Sequence, residues 1–80
     1  MGELLEKVLD TIYNHYTYHC WYSYGNVEEH DTYASFEVYG CSDQGEGSEW
    51  TEYWSIDKEG KIYTEDTTYN SYEEFLKEWA

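Results

Sequence analysis

Eighty residues with 18 carboxylates and four lysines carry a formal charge of −14. That balance excludes attraction to DNA, RNA or anionic lipid. The length makes residues 1–80 a single domain near the small end of what folds alone, and the 21% aromatic content excludes the usual make-up of a disordered chain.

Residues 3 to about 15 read as a helix. Leu5, Val8 or Leu9, Ile12 and Tyr16 recur on one helical face. Glu3 and Glu6 stand in the first turn, where the helix dipole favours acids, and Asn14 and His15 are end signals. Residues 16–24 are dense in strand formers, Gly25-Asn26 breaks the run, and residues 27–31 form a polar connection. Residues 32–41 alternate, with Ala34, Phe36 and Val38 on one face and Tyr33, Ser35, Glu37 and Tyr39 on the other. Residues 42–48, with Gly45 and Gly47, form a loop. Residues 49–57 alternate again, with Trp50, Glu52, Trp54 and Ile56 against Thr51, Tyr53 and Ser55. Asp57-Lys58-Glu59-Gly60 is a tight turn into a short strand over 61–65. Ser71 with Glu74 three residues on is a capping box, and Tyr72, Phe75, Leu76 and Trp79 form an apolar stripe behind it.

The expected fold is therefore α+β: an N-terminal helix, a four-stranded antiparallel sheet and a C-terminal helix, with both helices on one sheet face. Ala34, Phe36, Val38, Trp54 and Ile56 would meet the helices. Tyr33, Glu37, Tyr39, Thr51 and Tyr53 would face solvent, with His19 and Trp21 as additions.

No catalytic, cofactor or metal motif emerges. Gly45-Glu46-Gly47 lacks the glycine spacing of a phosphate loop and places an acid inside it. His15 and His19, with Cys20 adjacent, stand four apart but match no zinc pattern. Asp43, Gln44, Glu46 and Glu49 do not match a calcium loop. Pairing Cys20 with His19, or Cys41 with His30, is unspecific, as is any chosen pair among 18 acids. The reading is a non-enzymatic protein without cofactor or metal. Cys20 and Cys41 are expected as free thiols on opposite sheet faces, in a cytoplasmic protein without a signal peptide or membrane span.

The remaining signal is charge with aromatics. Between Lys7 and Lys58 there is no lysine, yet Asp10, Glu28, Glu29, Asp31, Glu37, Asp43, Glu46, Glu49, Glu52 and Asp57 fall there. Carboxylates two apart on a strand lie about 6.8 Å apart, close to the phosphate interval on one DNA strand. Glu37 with Glu49, Glu52 and Asp57, and the cluster Glu28, Glu29 and Asp31, are candidate arrays. Tyr33, Tyr39 and Tyr53 add flat contacts suited to an interface. The candidate binding set is thus Glu28, Glu29, Asp31, Tyr33, Glu37, Tyr39, Glu49, Glu52 and Tyr53, with Tyr63 and Lys77 outside it.

In length, acidity, aromatic content and helix–strands–helix order, the whole chain resembles the small inhibitors encoded by phages and mobile elements, the anti-CRISPR and anti-restriction proteins. Lys61-Ile62-Tyr63-Thr64-Glu65 followed by Tyr69-Asn70-Ser71-Tyr72-Glu73-Glu74-Phe75-Leu76 also resembles the ends of small phage and plasmid proteins. The likeness carries over no functional residue. It implies a host-cell cytoplasmic, monomeric or homodimeric inhibitor. Its partner would be a basic nucleic-acid-binding protein, such as a CRISPR effector or restriction nuclease, whose DNA or RNA site it blocks as a nucleic-acid mimic. An immunity protein or antitoxin against a nuclease toxin, and an acidic interaction domain without mimicry, are the alternatives.

Overall fold

Leu5, Val8, Leu9 and Ile12 lie along one stripe of helix α1 (Gly2–Asn14), and all four are buried. The computed structural model describes residues 2–17, 20–42 and 49–80. After α1 come β1 (Tyr16–Thr17), β2 (Cys20–Glu29), β3 (Tyr33–Ser42), β4 (Trp50–Asp57), β5 (Ile62–Tyr63) and β6 (Thr68–Tyr69), then helix α2 (Tyr72–Trp79). The strands form one antiparallel sheet in chain order, curved into a half-barrel.

The α+β class holds, but the expected four-stranded sheet is wrong, because the sheet has six strands. The run over 16–24 is divided: Tyr16 and Thr17 pair back onto Trp21 and Cys20. Nor does β2 stop at Gly25-Asn26. The register shifts between Gly25 and Glu28, and Asn26 takes φ 48°, so a bulge absorbs the break signal and pairing resumes at Glu28↔Ser35. The supposed polar connection is largely strand. At the other edge, the strand expected over 61–65 ends at Tyr63. Thr64 Oγ1 accepts from the N–H groups of Asp66 and Thr67, turning the chain into β6. Strands of two residues are too short to show an alternation, so β1 and β6 leave no periodic trace.

Ala34, Phe36 and Val38 of β3, Trp54 and Ile56 of β4, Ile62 of β5 and Tyr69 of β6 form the inner face of the sheet. They join the α1 stripe and Phe75 of α2 in one core. Trp54 is 3% exposed and meets Phe36, Phe75 and Trp79 at ring-centroid distances of 6.2, 6.1 and 5.1 Å. Such edge-on aromatic packing replaces the missing aliphatic volume. The cap at α2 is as expected, with Ser71 Oγ accepting from the Glu74 N–H. His15 stands just past the end of α1. Its Nδ1 lies 2.7 Å from the Trp79 carbonyl oxygen, and its ring packs on Trp79 and Tyr22, tying the ends of both helices together.

Candidate partner-binding face

The side chains of β3 and β4 that point away from the helices define the outer face. Cross-strand pairing fixes its rows: Trp21 beside Cys41, Ser23–Tyr39–Thr51, Gly25–Glu37–Tyr53, Glu28–Ser35–Ser55–Tyr63 and Tyr33–Asp57. Tyr16 extends the first row through its pairing with Trp21. Tyr16 and Tyr53 are each 67% exposed, and Trp21 and Tyr33 nearly half exposed. The described face carries aromatic rings, hydroxyls and the acids Glu28, Glu37 and Asp57, with Lys61 beside Asp57 at its β5 edge.

Glu37 is the organised centre. Tyr39 donates its hydroxyl to Glu37 Oε1 at 2.6 Å. That bond, with a second from the Asn26 side chain, holds the Glu37 carboxyl below its usual range against a small opposing effect of desolvation. The same bond raises the Tyr39 phenol. The geometry depends on Gly25, since a Cβ there would come within 2.8 Å of the Tyr39 hydroxyl and 3.0 Å of its ring. Without a side chain at Gly25, the Tyr39 ring lies across β2 and brings its hydroxyl to Glu37.

Asp57 is bound into the turn it begins. Partial burial pushes its carboxyl up, but the N–H groups of Lys61 and Glu59 and the Tyr63 hydroxyl together hold it below its usual range. Tyr63, expected outside the surface, therefore stands on it.

The other candidate residues separate into two groups. Glu28, Glu29, Asp31 and Tyr33 gather at the β2–β3 tip, where His30 stacks on Tyr33 at 4.4 Å and its Nε2 lies 3.7 Å from Glu28 Oε1. Glu49, exposed, precedes β4 at the opposite end. Glu52 is not on this face: it stands opposite Val38 on the inner side and accepts from Trp54 Nε1 at 3.0 Å. The expected array through Glu37 and Glu52 is not formed, because a strand alternates its faces and Glu52 shares that of Trp54. The neighbours of Glu37 across the strands are Gly25 and Tyr53, and those two along are Ser35 and Tyr39. It stands as a single carboxylate in an aromatic and hydroxyl field.

Gly25, Asn26 and Tyr63 were missed as parts of this face. Tyr63 follows from strand alternation once the hairpin at 57–60 is accepted. Gly25 and Asn26 carry only a turn signal, and their role depends on the bulge.

The remaining sequence candidates do not assemble here. Cys41 faces outward and Cys20 inward, both free, because Cys41 stands opposite Trp21 and Cys20 opposite Ser42. Cys41 and His30 lie at opposite ends of the hairpin. His19, Asp43, Gln44, Gly45, Glu46 and Gly47 lie outside the described residues. Among the described residues, no three His, Cys, Asp or Glu side chains cluster as metal ligands, and no helix is long and apolar enough to cross a membrane.

No family model, curated protein or solved structure matches the chain.

Proposed function

We propose that this protein is a non-enzymatic inhibitor that binds a basic nucleic-acid-handling protein and blocks its DNA or RNA site. The observation that carries this reading is the outer face, an exposed aromatic centre with acids at both ends of the β2–β3–β4 region and Lys61 confined to the β5 edge beside Asp57. Interfaces of this kind place aromatics centrally and charges at the rim. A rim of one sign calls for a partner of the other, and the sites that proteins offer to phosphate backbones are the prominent basic ones. The isolated setting of Glu37 favours mimicry by overall charge and occlusion over a phosphate-like ladder of carboxylates. The inhibitor acts in the cytoplasm as monomer or homodimer, with a CRISPR effector as first target and a restriction nuclease as second.

The test is pull-down from cells containing such defence systems, followed by competition between this protein and nucleic acid for the captured target. Mutual loss of affinity, and an association rate that falls steeply from low to physiological salt, is the expected outcome. Simultaneous binding without mutual loss ends the mimicry mechanism.

A further inference from the structure

Most acids of this chain are surface carboxylates on flexible side chains. Glu37 differs in three ways. It stands in the middle of an extended sheet rather than on a helix or turn. The Tyr39 hydroxyl, donating at 2.6 Å, fixes it in place. Gly25, which stands directly opposite Glu37, clears the space for that ring. Its row continues to Tyr53, whose ring is 67% exposed.

A carboxylate held in this way has already lost its side-chain freedom, so a cation that docks on it avoids much of that ordering cost. A carboxylate offers about four lone-pair sites, and the Tyr39 hydroxyl leaves acceptor capacity free. The cation that suits the remainder is planar. A guanidinium pairs with a carboxylate through parallel N–H donors and also stacks on aromatic faces, whereas an ammonium is a compact, strongly hydrated point charge. Tyr39 on one side and Tyr53 on the other supply the aromatic faces.

We propose that the outer sheet face is the docking surface for an arginine side chain of the partner protein, with Glu37 as the anchoring carboxylate and Tyr39 and Tyr53 as its flanking aromatic rails. This rests on the reading of a basic partner and specifies its chemistry. Charge complementarity selects the occupant: Glu28 and Asp57 share the described face, Lys61 stands at its edge beside Asp57, and Glu29, Asp31 and Glu49 lie at its ends. The helical acids Glu3, Glu6, Glu73 and Glu74 act only through the long-range field.

The experiment uses the whole protein and two short capped peptides, Gly-Arg-Gly-Arg-Gly and Gly-Lys-Gly-Lys-Gly, at physiological salt, followed by NMR. The largest shift changes are expected at Asn26, Glu37, Tyr39 and Tyr53, with the arginine peptide bound several-fold more tightly than the lysine peptide. Glu37→Gln, nearly isosteric, should weaken the arginine peptide by about tenfold, the scale of one lost charge-assisted contact. Glu74→Gln removes the same charge from α2 and should weaken it less than about twofold, the residue of a screened long-range term. Tyr39→Phe keeps the ring but frees the carboxylate, and should fall between them. Backbone spectra of each variant verify that the fold is kept.

Equal losses in Glu37→Gln and Glu74→Gln, no preference between the peptides, or shifts centred on the helices would overturn the proposal. So would shifts on this face that follow protein concentration and not peptide, because the occupant would then be a second copy of the chain. The two readings fail separately. Arginine docking without inhibition of any nucleic-acid-handling protein removes the inhibitor function and leaves the surface. Inhibition that is unaffected by Glu37→Gln removes the surface and leaves the function.

Discussion

The two faces of β3 and β4 are built from the same stretch of chain and a similar stock of aromatics, yet their side chains do different things. Inward, Phe36, Val38, Trp54 and Ile56 are almost fully excluded from water and lock against both helices. Outward, Tyr53 and Tyr33 stay exposed, and Tyr39 lies across Gly25 to hold a charge in place. Burial alone accounts for the inner face. The outer one presents exposed aromatic surface that does nothing for the core. A protein of this size needs aromatic area for stability on one side only, so the second aromatic face points to an interaction.

That contrast breaks first if the inner face proves dispensable. Trp54→Ala should destabilise the protein by about 3–5 kcal/mol, measured by denaturant unfolding, because it empties the centre of the core. An unchanged midpoint would refute the assignment of Trp54 to the core. Gly40 tests the rim of the same face. A Cβ there would come within 2.2 Å of the Trp50 indole. Gly40→Ala should therefore displace Trp50 and cost about 1–3 kcal/mol, as overpacking does. Ser71→Ala, which removes the cap of α2, should cost about 1 kcal/mol.

Titration separates the faces in another way. Tyr69 is buried inside, and desolvation, reinforced by its hydrogen bond to Glu78, pushes its phenol up to about 12. A group that holds its proton more tightly when folded stabilises fully below its unfolded pKa and loses that contribution as pH rises through the folded value. Stability should thus decline from about pH 10 toward 12, the window between the unfolded phenol and the value held here. Tyr69→Phe should remove that part of the decline in alkaline unfolding curves. The smallest effect belongs to the outer face. Tyr53→Ala should change stability by no more than about 0.5 kcal/mol while lowering partner affinity, because its ring is exposed. A large loss of stability would make the outer face structural and erase the comparison.

The sequence by itself determined the two helices, the cap at Ser71, the turn at 57–60 and the assignment of β3 and β4 side chains to two faces. Each rests on a local rule: a period of 3.6 or 2, a hydroxyl three residues before an acid, or a glycine able to take positive φ. The charge and the lysine gap were equally plain. Tertiary structure decided what depends on pairing at a distance. Six strands instead of four arise because two-residue strands are made by their neighbours and not by their own pattern. The separation of Glu52 from Glu37, by contrast, was already legible in the alternation that sets Glu52 on the Trp54 face. The organisation of Glu37 needed Gly25 paired opposite it to make room for the Tyr39 ring, and such pairing is a property of two strands, written in neither one alone.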